Sequence, residues 1–254
     1  MGDRADPGAR GVMGGHGEPN DENALWSEIY ANPEDLTPRF VLADAYTERG
    51  DPRGPFMSAS LNALSTGARP RGEAALLTRH EAAWLGDFNR YTTAPRVWRG
   101  GVLTGAVTSG LSLASRARAE WRVVQELRFE TSLGMEELTS SAFPSLRVLG
   151  LVPVRMLPWL ESSELLVQLE TVYVGMNLSP TLNQELRILG AFSAPEKLIL
   201  VGVHAEAAAR DSYSARGRGS RLFNVSRYRL AEASWLPSRP GSPRAALWPP
   251  IVNR

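Results

Sequence analysis

The sequence predicts an α/β protein: a helical domain, then a short repeat solenoid built on a parallel sheet, between disordered termini. Three observations carry that expectation. An apolar phrase recurs four times between Trp121 and Leu200. Upstream of it, apolar residues fall at helical spacing between recognisable starts and stops. Residues 1–20 hold six Gly and two Pro, and residues 237–254 hold five Pro, so neither end can offset the entropy of ordering. On this reading residues 1–20 are a disordered tail, 21–95 a helical domain, 96–202 the solenoid, 203–236 a further repeat or cap, and 237–254 a Pro-rich tail.

The recurring phrase has the form Φ-x-x-Φ-x-x-Φ-x-Φ, where Φ is bulky and apolar. Its copies are Trp121/Val124/Leu127/Phe129, Phe143/Leu146/Leu149/Leu151, Leu166/Leu169/Val172/Val174 and Phe192/Pro195/Leu198/Leu200, with Pro195 alone out of type. They start 22, 23 and 26 residues apart. That period, with an L-x-x-L-x-L core, is the signature of a leucine-rich repeat. The closing Φ-x-Φ alternates with period two, so both apolar residues share one face of a strand. One such strand cannot bury its face alone, whereas stacked copies form a parallel sheet over a continuous core. The core should therefore hold Leu149, Leu151, Val172, Val174, Leu198 and Leu200, with Arg147, Arg155, Glu170 and Lys197 in solvent. Between the strands, residues 134–142 suffice for turns or one helical turn. Pro158 suits the first turn of a helix, and Leu182, Leu186 and Leu189 have helical spacing.

In the helical part, Trp26, Leu25, Ile29 and Tyr30 form the first stripe, with Asp21 or Asn23 as cap and Asn32-Pro33 as stop. Thr37 caps a second helix with Pro38 at its first position, and Gly50 is its left-handed stop. A third helix is expected from Phe56 to about Leu64, and a fourth from Gly72 to about Trp84. Between Val97 and Val107, around Gly100-Gly101, alternation suggests a strand. Trp98 lies 23 residues before Trp121, so this segment reads as a degenerate first repeat that caps the solenoid. Downstream, Leu222, Val225, Tyr228 and Leu230 restore the Φ spacing, and a further strand is expected there.

The run Asn32-Pro33-Glu34-Asp35, Thr37-Pro38-Arg39, Leu42-Ala43-Asp44, Glu48-Arg49-Gly50-Asp51-Pro52-Arg53-Gly54 resembles the bacterial repeat-companion domain of myxobacteria and planctomycetes. His80, Trp84-Leu85-Gly86 and Trp98-Arg99-Gly100 fit its downstream pattern, so the resemblance spans roughly residues 24–105. Ala45-Tyr46 stand where the family has Trp-Leu, and Pro55 where it has Glu. The resemblance implies a helical unit followed by leucine-rich or similar repeats. It implies no activity.

Composition narrows the function. The chain has no cysteine, which removes disulfides, thiolate metal sites and a cysteine nucleophile, and is compatible with a reducing, cytoplasmic setting. Neither a signal peptide nor a membrane span is expected. Of 28 basic residues only Lys197 is Lys, as biased codons explain. Residues 203–254 carry nine Arg against Glu206, Asp211 and Glu232, an excess that could attract a polyanion or nucleic acid.

The reading that results is a non-enzymatic protein–protein interaction module with an unidentified protein partner and no cofactor. Its binding face is the set of residues interleaved with the Φ pairs: Arg128, Glu130, Val152, Tyr173, Ile199 and Val201. The tail around Trp248 is a second candidate to cover that face. Asp44, Gly50, Asp51 and Arg53 form a structural knot, an Asp44–Arg53 or Asp51–Arg53 pair pinning the chain reversal. The alternatives are a polyanion binder using the Arg-rich C-terminal region, and an enzyme or metal site built from Asp44, Glu48, Asp51 and His80.

Overall fold

The protein is seen as a computed structural model, which describes residues 19–67, 72–175, 182–201, 229–231 and 251–252. Four helices open it: α1 (Pro19–Ala31), α2 (Thr37–Glu48), α3 (Arg53–Thr66) and α4 (Glu73–Leu85). The Asp35 carboxylate, and not the Thr37 hydroxyl, closes the start of α2 by accepting from Thr37 N–H at 2.9 Å. Gly50 ends α2 with φ +69°. Around it Gly50 N–H donates to Thr47 O (3.0 Å) and Asp51 N–H to Tyr46 O (2.9 Å), a Schellman stop. The helices bury Ile29, Leu42, Tyr46, Phe56, Met57 and Leu61 in a core of their own.

A 3-10 segment (Gly86–Tyr91) leads into an antiparallel hairpin, β1 (Thr93–Arg99) and β2 (Val102–Thr108). The expectation of one strand over this region is corrected to two, because Gly100 and Gly101 turn the chain with φ +56° and +78°. Two consecutive positive φ values define the hairpin turn whose twist matches its strands. From β2 onward the sheet grows in chain order, β3 (Glu126–Phe129), β4 (Val148–Pro153), β5 (Thr171–Gly175), β6 (Leu198–Val201) and β7 (Arg229–Ala231), each parallel to the one before. β8 (Ile251–Val252) closes the described sheet antiparallel to β7. The connections are α5 (Leu113–Arg116) before β3, 3-10 turns before β4, α6 (Leu157–Ser162) and α7 (Leu165–Gln168) before β5, and α8 (Leu182–Ala191) before β6. Pro158 does sit in the first turn of α6.

The register follows the apolar phrase. Ala106, Leu127, Leu149, Val172 and Leu198 form one ladder across five strands. Val152, Val174, Leu200 and Leu230 form a second, so the strand expected around Leu230 is present at its register. The side chains of these ladders from Ala106 to Leu200, with Trp121, Phe143 and Leu146, make the larger core. Trp98 packs against both cores.

Two expectations fail at one bulge. Between Leu149 and Val152 the strand takes an extra residue relative to β5. Val152, expected on the opposite face, turns into the core and is fully buried. Leu151, expected in the core, is half-buried on that opposite face, with φ +58°. There it joins Val148 beside a small cluster of Tyr173, Ile199 and Val201, whose exposures are 7%, 0% and 6%. Arg155 and Glu170 are exposed as expected, whereas Arg147 and Lys197 are partly buried. Both spend their charge on backbone oxygens, Arg147 Nη1 on Pro144 and Leu146, and Lys197 Nζ on Leu166. Most of the two tails expected to be disordered, the Trp248 docking segment and most of residues 203–236 lie outside the described residues; Pro19 and Asn20 belong to α1 and Ile251–Val252 to β8, against that expectation.

Leu149→Ala should lower unfolding free energy by about 2–5 kcal/mol in urea titration, the cost of a core cavity. Leu151→Gly should cost less than about 1 kcal/mol. A non-Gly residue in the left-handed region carries about 1–2 kcal/mol of strain, and relief of it offsets the packing lost. A loss at Leu151 as large as at Leu149 would contradict this register.

Candidate functional site

The expected binding face is not an exposed apolar surface. Arg128 is 6% exposed, and Val152, Tyr173, Ile199 and Val201 are all buried. Glu130 alone of the six is exposed, its carboxylate accepting from the Thr93 hydroxyl at 3.1 Å. The physical reason is that a parallel sheet tends to be covered on both faces, so alternation here separates two buried clusters and not core from solvent.

The expected carboxylate–histidine set is not assembled. Asp44 and Glu48 are exposed on α2. His80 stacks on Trp84 with ring centroids 5.5 Å apart. Among the described residues no three His, Asp or Glu side chains are grouped to hold a metal. No helix among them is long and apolar enough to cross a membrane. The Arg-rich segment, the polyanion candidate, falls almost wholly outside the described residues.

Among the described residues, a concave feature lies between the helices and the hairpin. A half-enclosed cavity of about 300 Å³ opens there. Its walls are aromatic: Trp26 and Tyr30 from α1, Phe56 from α3, Trp84 from α4, Phe88 from the following 3-10 segment and Trp98 from β1. Met57, Val102, Leu103 and Val123 supply aliphatic surface, and Asn23, Arg53 and Glu120 the polar groups. The four Trp and Tyr rings are each partly exposed. Trp84 and Trp98 meet edge-on at 6.4 Å, and Phe56 touches both rings, at 5.0 and 5.7 Å.

The hairpin tip holds one wall in place. A Cβ on Gly101 would stand 2.5 Å from Met57 Cγ, and one on Gly100 would stand 2.9 Å from Arg39 Nη1. Only the Gly-Gly pair lets the turn sit this close to α2 and α3. Behind the wall, Arg96 donates to Glu81 Oε2 (3.0 Å), Asn89 Oδ1 (2.7 Å) and Thr92 O (2.6 Å), tying β1 to α4. Glu81 Oε1 accepts from Trp98 Nε1 at 2.7 Å. Across the cleft, Arg122 Nε donates to Tyr30 O at 2.8 Å and fastens the end of α1.

The knot supports the opposite rim: of the two expected pairs Asp51–Arg53 forms, and Tyr46 and Glu22 join it. Asp44 takes no part. Arg53 binds Asp51 through Nε and Nη2, at 3.0 and 2.7 Å. Its Nη1 donates to Tyr46 Oη (2.7 Å) and Glu22 Oε1 (3.2 Å). Its guanidinium lies 3.8 Å from the Tyr46 ring centroid. Tyr46 Oη in turn donates to Glu22 and accepts from Trp26 Nε1 at 3.1 Å. Burial pushes the Glu22 carboxyl up, but hydrogen bonds from Tyr46 and Arg49 and the charges of Arg53 and Arg49 hold it below the ordinary carboxylate range. At Asp51 burial is likewise outweighed by the Arg53 side chain and backbone N–H. Burial, together with the Glu120 charge, pushes the Tyr30 hydroxyl well above its ordinary value.

The sequence pointed to Arg53, Asp51 and Gly50 through the motif, but not to Glu22, Tyr46 or the cleft. The available signal was three Trp at 26, 84 and 98 inside one motif region, which reads equally well as core.

Arg53→Ala should cost about 1–3 kcal/mol, because it leaves the partly buried Asp51 carboxylate without its main donor and takes from Glu22 one of its charged partners, while Asp44→Ala should stay within about 0.5 kcal/mol. Glu22 and Asp51 have folded pKa values below their unfolded ones. Their stabilisation is therefore complete above the unfolded carboxylate range near pH 4 and is lost as pH falls through the lower folded values. Melting curves from neutral to acid pH should show this loss in the parent and a smaller one in Arg53→Ala.

Compared with known proteins, the chain matches no family model, no curated protein and no solved structure.

Proposed function

We propose that this chain is a non-enzymatic protein–protein interaction module: a repeat-companion-like helical unit on a short leucine-rich-repeat-like solenoid, presenting the aromatic cleft to a partner protein. The observation that carries this reading is the half-enclosed 300 Å³ cavity lined by Trp26, Tyr30, Trp84 and Trp98. Protein interiors are close-packed and leave few voids larger than a water molecule. Ligand sites are concave, largely apolar and pre-formed, and begin at about this volume. Trp and Tyr dominate the energetics of interfaces. The sheet supports the reading as a scaffold: Tyr173, Ile199 and Val201 on its second face are buried and form no exposed docking surface. A cytoplasmic location goes with this reading, in keeping with a sequence without cysteine.

The test is selection of a random peptide display library on the full chain, with counter-selection on Trp84→Leu. Enriched peptides should share one bulky apolar anchor and bind the variant at least about tenfold more weakly, a difference of about 1.4 kcal/mol. Enrichment indifferent to Trp84, or none, would remove the cleft as the binding site.

A further inference from the structure

From the cavity's volume, its π-lined walls and one carboxylate, we infer that the cleft takes a planar aromatic group bearing a hydrogen-bond donor, of which indole is the simplest. This rests on the reading above and names the chemistry of the anchor. Volume comes first. A cavity of about 150 Å³ lined by apolar side chains holds a benzene ring. The cleft has about 300 Å³, enough for a fused bicyclic ring and the start of the chain that carries it.

Shape and polarity come next. Trp26 Nε1 donates to Tyr46 and Trp98 Nε1 to Glu81, so both N–H groups are used within the protein. The rings are left to offer π surface, which favours stacked or edge-on aromatic guests. Arg53 is a poor donor to a guest, because its Nε, Nη1 and Nη2 already serve Asp51, Glu22 and Tyr46. Glu120 is different. Arg118 donates to both its oxygens, through Nη2 and through Nε at 3.2 Å. A carboxylate has about four acceptor sites, so about two remain. Glu120 lines the cavity and its charge reaches Tyr30 across it. An acceptor beside aromatic walls selects a guest with an N–H or O–H at its ring edge. A free cation is disfavoured, since Arg53 lines the same space.

The chemistry has two sources, a free aromatic metabolite or a Trp side chain of a partner, and the experiment separates them. The full chain is titrated by calorimetry with indole, 1-methylindole and tetramethylammonium. Val123→Phe, which adds bulk to the cavity lining, and Glu120→Gln are run alongside. Indole should bind with a dissociation constant of about 1 mM or tighter. 1-Methylindole, which lacks the donor, should bind about tenfold more weakly, as befits one hydrogen bond to a charged acceptor. Glu120→Gln should narrow that gap. Val123→Phe should abolish binding while the variant still melts in one cooperative transition. Competition of indole with a selected Trp-containing peptide identifies the partner side chain as the source; a free metabolite is indicated if no peptide competes. The inference is overturned if indole fails to bind, if the two indoles bind alike, if tetramethylammonium is preferred, or if Val123→Phe retains indole. Should indole fail while selection returns aliphatic anchors dependent on Trp84, this inference falls and the interaction reading stands. Should both fail, both are wrong.

Discussion

The seating of the Gly100–Gly101 turn on Met57 and Arg39 is a contact through which the two cores are joined. A side chain at either position would collide with the helices, and both residues need φ values that other amino acids rarely adopt. With the turn in place, successive residues of β2 face opposite ways. Val102 joins the helical core and Leu103 the sheet core. Trp98, on the other arm of the hairpin, touches both. The same hairpin gives the sheet its first parallel edge, so the ladder that begins at Ala106 inherits its position from the helices. The cleft lies between the helices on which the hairpin rests at its tip and the arm that carries Trp98.

Growth of the sheet in strict chain order follows from the apolar phrase. Each copy supplies two inward side chains, and each strand finds its partner in the one just made, which keeps the connections short. The second face is also apolar towards its far end, at Tyr173, Ile199 and Val201. Parallel strands covered on both faces lose the contrast between buried and solvated alternation. The bulge at Leu151 shows the same pressure. One extra residue turns Val152 inward to meet Val174's register and leaves Leu151 in a left-handed conformation on the other side. The core slot is filled by whichever residue can reach it, and the local backbone strain is the smaller cost.

Several arginines are paired across elements. Arg53, Arg96 and Arg122 each span two or more elements, and each meets carboxylates or backbone oxygens placed by secondary structure. Guanidinium suits this work because its fixed fork reaches several acceptors at once. The ion pairs at the cleft rim are partly exposed, so they contribute modestly to stability. Their effect on the cleft is to hold Trp26 and Trp98 by their N–H groups and keep the rings from collapsing into the void.

The sequence by itself determined the α/β class, the four opening helices, the Gly50 stop, Asp51 as one of two candidate partners for Arg53, and the register of the strands after Trp121 apart from the bulge. These features depend on contacts between residues near in the chain, or on a period repeated often enough to be read. The hairpin, the bulge, the burial of the second face and the aromatic cleft were decided only in three dimensions. Leu151 and Val152 are both apolar and adjacent, so composition cannot say which one faces the core until β5 lies beside them. Glu22 and Arg53 are far apart in the chain, as are Trp26, Trp84 and Trp98, and nothing local distinguishes a Trp that fills a core from one that lines a cavity. That distinction is set by how closely neighbouring elements approach, and here the approach is fixed by two glycines at the tip of a turn.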